Sequence, residues 1–333
     1  MGTNPPLSNC ITRETKAPMI IRLLQFSMLA LCVTIAHAQP YPTKPVRIVT
    51  HVAGGSIDLA ARLVASKFTE RFGQQVIVDN RGGVTSMEQV AKAPADGYTL
   101  LVASGSLWTL QFMRDNVAWD ALRDYAPVSL LTTSPNVLVT LPSLPVKSVK
   151  ALIALAKERP GELNYSTGQS GASAHLAGEL FQSMAGVKFQ RIAYKGQSPA
   201  MLSLVTGEAQ LSFPNAASAA PFIKAGRIVG LAVTTLQPSA LAPGLPTVAA
   251  SGLPGYEMKA IVGIFAPAKT PSAIIDLLHQ EIVRALTAPE VKQRVFDSGA
   301  DAIAGSPSEL LASMKFEIAT TGKLITDLGI RAE

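Results

Sequence analysis

The stretch VRIVTHVAGGSIDLAARLVASKFTERFGQQVIVDN, residues 46–80, decides the fold class because it passes from a strand pattern to a helix pattern and back. It opens with a mainly apolar run that is typical of a buried strand. From about Ile57 to Phe72 the apolar side chains recur at helical spacing, and Gly73 follows where the helix should end. The apolar run at residues 75–80 then predicts a second strand.

The same alternation continues to the C-terminus, and it predicts an α/β fold with a largely parallel sheet and helices on both faces. Near the end, two helices are expected, from about Pro271 to Ser298 and from about Pro307 to Gly329. Two extended segments, near residues 136–140 and 261–266, are interpreted as crossings between two lobes. The predicted lobes are residues 39–139 with 260–333, and residues 140–259.

The N-terminus has the features of a secretory signal peptide. Arg22 precedes a short apolar core at residues 26–35, and Ala36-His37-Ala38 supplies a small-x-small cleavage site. The core is shorter than the roughly 20 residues that a membrane span needs. We therefore predict that residues 1–38 are a signal peptide removed after Ala38, with translation starting at Met19.

Composition excludes several classes of protein. The chain is 48% hydrophobic and 16% charged, which is not the composition of a disordered protein. Its formal net charge of +6 is a mild excess, and the lysines and arginines form no basic stripe. Binding to nucleic acid is therefore not expected.

Neither a metal nor a cofactor is predicted. Both cysteines, Cys10 and Cys32, precede the predicted cleavage site, so the mature chain has no disulfide and no cysteine metal site. The three histidines that follow the cleavage site have no metal-ligand spacing. The glycine-rich phosphate-binding and dinucleotide-binding motifs are missing from the sequence.

Small and hydroxylic residues recur where a predicted strand passes into a helix. Free backbone N–H groups, the positive end of the helix dipole and a nearby hydroxyl together bind anions. The same residues are also ordinary helix caps, so both interpretations stay open at each junction. The residues are Gly54, Gly55, Ser56, Ser104, Gly105, Ser106, Ser170, Gly171, Ser173, Lys195, Gly196, Ser198, Asn215 and Ser218.

Two other features have a functional and a structural interpretation. Asp58 either receives an amine or hydroxyl of a ligand or, as a first-turn acid, complements the helix dipole. The segment GQSGA, residues 168–172, is close to the nucleophile elbow of serine hydrolases. His175 lies in the helix that Ser170 opens and is turned away from it, so hydrolysis is the least favoured function.

Ordered blocks of sequence resemble the substrate-binding proteins of tripartite tricarboxylate transporters, also called the Bordetella uptake gene family. The resemblance extends from Tyr41 nearly to the C-terminus. The blocks include YPTKPVRIVTHVAGGSIDLAARLVASKFTERFGQQVIVDNR, ADGYTLLVAS, VKSVKALIALAKERPGELNYSTG, SAHLAGELF, YKGQSPAMLSLVTGEAQLSF, LPTVAASGLPGYE and IFAPAKTP.

This resemblance implies a two-lobed, Venus-flytrap periplasmic receptor of type II, with two crossing strands as its hinge. In that family, main-chain amides, hydroxyls and waters at facing helix starts hold a carboxylate. By this resemblance Ala53, Gly54, Gly55 and Ser56 form one half of an anion clamp. Ser104, at the junction that follows a later strand, is added to the candidate site. Ser170 and Ser173 form the other half, while Tyr194, Lys195, Gly196 and Asn215 close the distal side.

The sequence departs from the family pattern at three places. Ala53 replaces a proline, the glycine-rich loop at residues 81–86 is short, and Pro214 stands where an acid is common. These changes make a dicarboxylate with a hydroxyl or an amine less secure as the ligand. They make a monocarboxylate or aromatic acid more credible.

The resemblance implies a periplasmic receptor that captures a small organic carboxylate, either a di- or tricarboxylate or an aromatic acid, and delivers it to the subunits of a membrane transporter. The sequence gives no oligomer signal, so a monomer is expected. A sensor that presents its closed form to a membrane kinase is the alternative. Catalysis is not expected.

Overall fold

The computed structural model describes residues 2, 41–50, 53, 56–168, 170–194 and 196–332. The predicted signal peptide, apart from Gly2, lies outside the described residues, as do Gly54, Gly55 and Lys195. Residues 1–43 and residues 44–333 form separate compact units, and the architecture below is that of the second. None of the helices in the described ranges is long and apolar enough to cross a membrane.

The first sheet has six strands. β1 pairs in parallel with β2 and β3, whereas β10 is antiparallel to β3 and β4, and β11 is antiparallel to β4. Their order across the sheet is β11-β4-β10-β3-β1-β2. The strands are β1 (Val46–Thr50), β2 (Val76–Asn80), β3 (Thr99–Ser104), β4 (Tyr125–Pro135), β10 (Lys259–Pro267) and β11 (Asp301–Gly305).

The second sheet has five strands in the order β7-β6-β8-β5-β9. β6 pairs in parallel with β7 and β8, and β5 is antiparallel to β8 and β9. The strands are β5 (Val137–Thr140), β6 (Asn164–Thr167), β7 (Gln190–Ala193), β8 (Leu211–Ser212) and β9 (Val229–Val233).

The prediction of a largely parallel sheet is therefore wrong, because both sheets are mixed. The reason is the connection between them. β4 runs toward the second sheet and continues as β5, and β10 comes back from the second sheet. β10 enters the first sheet at the edge where β3 ends, so it has to run antiparallel to β3.

Helices follow most of the strands. Those between β1 and β5 are α1 (Ser56–Phe72), α2 (Gly83–Ala91) and α3 (Ser106–Met113). Those between β5 and β10 are α4 (Val149–Glu158), α5 (Ser173–Ala185), α6 (Gln197–Thr206) and α7 (Ala216–Lys224). The C-terminal helices are α8 (Ser272–Thr287), α9 (Pro289–Asp297), α10 (Pro307–Glu317), a π-helical turn (Ile318–Gly322) and α11 (Lys323–Asp327).

Both predicted C-terminal helices are interrupted. Ala288 has extended dihedral angles and separates α8 from α9, as expected of a residue that precedes proline. The π-helical turn separates α10 from α11. Helix α3 begins at Ser106, at one of the predicted junctions between a strand and a helix. The pattern fails to indicate β11.

The two crossings between the sheets meet at Thr234, which is fully buried. Its hydroxyl accepts a hydrogen bond from the backbone N–H of Asn136 at 3.0 Å and lies 2.5 Å from the carbonyl oxygen of Met258. Its backbone N–H donates to the Asn136 carbonyl at 2.9 Å. The sheets change over at Asn136 and at Lys259, and the lobe boundaries at 139/140 and 259/260 stay a prediction.

Aromatic side chains fill the core of each sheet. Trp108 and Tyr125 both contact the ring of Phe265 edge-on in the first sheet. In the second, Tyr165 lies against Gly178 of α5, which has no side chain at that point. Helix α5 can approach β6 closely because of this glycine.

We predict that Gly178→Ala lowers the free energy of unfolding by about 1–3 kcal/mol, because a Cβ atom there would lie 2.4 Å from Cε2 of Tyr165. The control is Gly82→Ala at the start of α2, where a Cβ atom meets nothing within 4 Å. Urea unfolding of both variants measures the difference. Equal stability of the two would contradict the close packing of α5 on β6.

Candidate functional site

A cavity of about 310 Å³ opens where strand ends of the two sheets face each other. Its volume suits a small organic molecule. The first sheet contributes Ser56, Ser104 and Ser106 to its wall, and the second contributes Ser170 and Ser173. The cavity is thus lined by residues at several helix N-termini.

The structure brings together five of the residues that the sequence predicts for the site: Ser56, Ser104, Ser170, Ser173 and Asn215. Ala53 is an exposed turn residue and does not line the cavity. Tyr194 and Gly196 do not line it either. Tyr194 pairs through its backbone with Thr167, and Gly196 is the residue that precedes α6.

Asp58 is occupied within the first sheet. Its side chain is buried, and its carboxylate accepts hydrogen bonds from Arg62 Nε at 3.0 Å and Asn80 Nδ2 at 2.8 Å. These bonds fasten the first turn of α1 to the end of β2. Asp58 does not line the cavity, which favours its structural interpretation.

The start of α3 lies beside a carboxyl group that the sequence does not predict. Glu317, the last residue of α10, accepts a hydrogen bond from Trp108 Nε1 at 2.8 Å and lines the cavity. Its Oε2 atom lies 3.2 Å from the place where a Cβ atom on Gly105 would stand. Burial raises the pKa of Glu317 to about 7, although the Trp108 hydrogen bond and Lys259 act in the opposite direction.

Ser170 is held by Arg191 of β7. The guanidinium donates from Nη2 to the Ser170 hydroxyl and from Nε to the Thr167 hydroxyl, both at 2.9 Å. Because the Ser170 oxygen accepts from arginine, its own hydrogen remains available to a ligand atom. The arrangement makes Ser170 a hydrogen-bond donor with a cation behind it.

His175 has no contact that would activate Ser170. It is 2% exposed, and its Nδ1 atom accepts a hydrogen bond from the Gly171 backbone N–H at 3.0 Å. Its Nε2 atom faces Glu179 at 3.6 Å, and Glu179 in turn accepts a hydrogen bond from Tyr165. The imidazole therefore fixes the turn before α5, and the described residues show no serine–histidine pair there.

Amide side chains complete the wall near the crossing. Asn136 is 1% exposed and its Nδ2 donates to the Phe213 carbonyl at 2.7 Å, while Oδ1 has no hydrogen-bond partner among the described residues. In the described part of the chain, Nε2 of Gln197 also lacks a partner. Asn215 caps α7 by accepting from the Ser218 N–H at 2.8 Å. Buried polar atoms without partners are uncommon. Six side-chain atoms of this kind occur among the described residues, and these two belong to residues that line the cavity.

Charged side chains are sparse in this wall. Of the described residues that line the cavity, only Lys259 and Glu317 carry charge. Lys259 Nζ pairs with Glu257 Oε1 at 2.9 Å. The described residues contain no cluster of side chains suited to a metal ion.

Sequence reasoning missed Arg191, Asn136, Gln197 and Glu317. Arg191 lies on the strand that pairs with β6, opposite Tyr165, and this pairing is visible only in the structure. The strand order that brings it near Ser170 is not contained in the local pattern. Glu317 is 211 residues after Ser106 in the sequence, and its helix pattern does not indicate a site.

Comparison with known proteins agrees with the fold. The family model described as “Tripartite tricarboxylate transporter family receptor” matches residues 60–330. The chain belongs to this family. The receptor is 34% identical to the protein BugT of Bordetella pertussis, over 88% of this chain and 92% of BugT. It is 35% identical to the UPF0065 protein of the tcbD-tcbE intergenic region of Pseudomonas sp. strain P51, over 93% of this chain and 95% of that protein.

Solved structures show the same architecture. The receptor resembles Rpa4515 of R. palustris, whose structure contains adipate, with a TM-score of 0.75 and 34% identity over 87% of this chain and 99% of that one. It also resembles the periplasmic binding protein BugD, with a TM-score of 0.73 and 28% identity over 88% and 100% of the two chains. The fold is therefore that of two-lobed periplasmic solute-binding proteins, as predicted. Receptors of this family are periplasmic.

We predict that the fluorescence of Trp108 changes with pH around a midpoint of about 7, because ionisation of Glu317 alters the charge that accepts its indole hydrogen bond. Glu317→Gln should abolish the transition. Trp119 donates instead to the Leu107 carbonyl and provides a constant background. A transition that is unchanged in Glu317→Gln would show that another group titrates.

Proposed function

We propose that the protein is a periplasmic receptor that binds a small organic carboxylate by closing its two lobes and delivers it to a tripartite membrane transporter. The observation that carries this proposal is the single cavity shared by Ser56 and Ser104 from the first sheet and Ser170 and Ser173 from the second. A structure of R. palustris MatC contains malate, and that of Rpa4515 contains adipate, which supports a carboxylate ligand here. An N-terminal signal peptide would direct export.

Elementary electrostatics explains how such a wall holds an anion with little charge of its own. Helices α1 and α5 start at cavity-lining serines, and helix N-termini attract anions through unpaired N–H groups and the helix dipole. Ser170 adds a hydroxyl hydrogen, and Arg191 adds positive charge behind it. Hydrogen bonds to a charged acceptor contribute about 1.5–3 kcal/mol each.

Closure of the two lobes follows from the presence of serine donors on both sheets. A ligand that contacts serines from both sheets stabilises the closed arrangement and has fewer contacts in an open one. The crossings at Asn136, Thr234 and Met258 provide the hinge, since hinge motions are absorbed by a few residues between rigid bodies. Delivery to a transporter is the function that the family description suggests.

The two other functions are less well supported. A sensor would use the same closed form, and the local geometry of the cavity does not favour it over a transport receptor. A serine hydrolase needs a base, but His175 Nδ1 accepts from Gly171 and Ser170 accepts from Arg191. We therefore propose that the protein has no catalytic activity.

A panel of carboxylates in a thermal-shift assay tests the proposal. A ligand at 100 times its dissociation constant stabilises the folded chain by about 2.7 kcal/mol, which is roughly a 4 °C rise in Tm. The panel should contain C4 to C6 diacids, hydroxy and amino acids, benzoate, phthalates and nicotinate. The absence of a shift with every acid would contradict the proposed function.

For the best acid of that panel, we predict that Ser170→Ala together with Ser173→Ala weakens binding by about 100-fold, since two donors to a carboxylate are lost. Isothermal titration calorimetry measures the change. Ser198→Ala is the matched control, because Ser198 is exposed in the first turn of α6 and does not line the cavity. Unchanged affinity in the double variant would remove these serines from the site.

Arg191 should act through Ser170. We predict that Arg191→Gln weakens binding by about tenfold in the wild-type background, but by much less in Ser170→Ala, where the hydroxyl it holds is already gone. A double-mutant cycle from calorimetric dissociation constants measures this coupling. Fully additive effects would show that Arg191 and Ser170 act independently.

A further inference from the structure

The cavity wall contains acceptors as well as donors. Oδ1 of Asn136 has no partner among the described residues, although this side chain is 1% exposed and lines the cavity. Glu317 adds a carboxyl group, of which Oε2 accepts from Trp108. A carboxylate has about four lone-pair sites, so Glu317 can accept further hydrogen bonds. A molecule with carboxylates alone would leave these acceptors without a donor.

Glu317 also changes which helix starts are available to an anion. Its carboxyl group lies against Gly105, directly before the first residue of α3. An acid at that position complements the positive end of α3 with a charge that belongs to the protein. The starts of α1 and α5 therefore remain for the carboxylate of the ligand, and the wall near α3 faces its second polar group.

We propose that Glu317 determines specificity: it accepts a hydrogen bond from a hydroxyl or amino group of the ligand, so that the receptor prefers hydroxy or amino monocarboxylates to diacids. This inference rests on the proposed function, because it assumes that one carboxylate of the ligand is bound at the serines.

The charges around Glu317 support this preference. Lys259 and Glu257, from β10 and the residues just before it, are the charged groups that act on it, and they pair with each other at 2.9 Å. Trp108 from α3 is uncharged. Lys259 also lines the cavity, but its ammonium is paired with Glu257, whereas no cation among the described residues forms an ion pair with Glu317. A second carboxylate on the ligand would meet a like charge.

The preference for hydroxy or amino acids over diacids should depend on pH, because the ionisation of Glu317 is coupled to binding. Burial raises the pKa of Glu317 to about 7, so the group is ionised above that pH and neutral below it. A diacid binds best to the neutral form, so its affinity is highest below pH 7 and falls by up to about tenfold per pH unit above it. A ligand that donates to the ionised form has the opposite dependence and binds best above pH 7.

The test compares ligands of equal chain length: adipate, 6-hydroxyhexanoate and 6-aminohexanoate, with the C4 and C5 homologues of each set. Calorimetry is performed on the full protein at about pH 8.5 and at about pH 5.5. At the higher pH we expect the hydroxy or amino acid of the best-bound length to bind at least about tenfold more tightly than its diacid. At the lower pH this ratio should shrink by at least about tenfold.

Glu317→Gln keeps the size of the side chain but removes its ability to ionise. It keeps an oxygen that can accept from Trp108, and we expect it to remove the pH dependence of the ratio. Glu158→Gln is the control for net charge, because Glu158 is an exposed residue at the end of α4 and does not line the cavity. The pH profile of the wild-type protein tests the proposal even if Glu317→Gln folds poorly.

The outcomes distinguish this inference from the proposed function. If no carboxylate of any length binds, the proposed function fails, and this inference fails with it. If carboxylates bind but wild type takes the diacid as tightly as the hydroxy and amino acids at the higher pH, only the role of Glu317 is overturned. The role of Glu317 is also overturned if Glu317→Gln has the same ratio of affinities for the hydroxy or amino acid and the diacid as wild type at both pH values.

Discussion

The hydrogen bonds of Thr234 hold the two crossing segments of the chain together, and the arrangement of the site depends on them. The hydroxyl and backbone of this buried residue bond Asn136 on one crossing and Met258 on the other. Buried backbone groups have to be paired, so these contacts restrict how the two segments lie against each other. The strand ends of both sheets consequently face one cavity, and serines that are far apart in the sequence become neighbours.

The cavity brings together serines at helix starts, each of which is commonplace on its own. A single serine at a helix start is an ordinary cap. Helices α1 and α5 start on opposite sides of the same space, so their dipoles and unpaired N–H groups act on the same volume. Arg191 leaves the Ser170 hydrogen free for a ligand, and His175 fixes the turn before α5. This geometry directs hydrogen-bond donors into the cavity, and among the described residues His175 is not placed as a base for Ser170.

The crossings between the two sheets explain both the mixed strand directions and the position of the cavity. Because β10 enters the first sheet from the side of the crossing, it runs antiparallel to β3 and its first residues lie next to the end of that strand. Lys259 and its neighbours therefore reach the wall of the cavity. The π-helical turn follows Glu317 on the same side, and single π turns in helices are frequent at functional sites. The sheet topology thus determines which charges the cavity contains.

The sequence alone determined the alternation of strands and helices, the family and the serines at the strand ends, because these depend on periodicity and on short motifs. It also indicated that His175 is turned away from Ser170. Only the tertiary structure decided which junctions share a cavity and that Tyr194 lies outside its wall. It also decided that Asn136 and Glu317 line the cavity and that Arg191 bonds Ser170. Those facts depend on strand order and on burial. The pKa of Glu317 depends on its burial and on the neighbours that the fold places beside it. Contacts between residues hundreds of positions apart leave no local pattern from which they could be predicted.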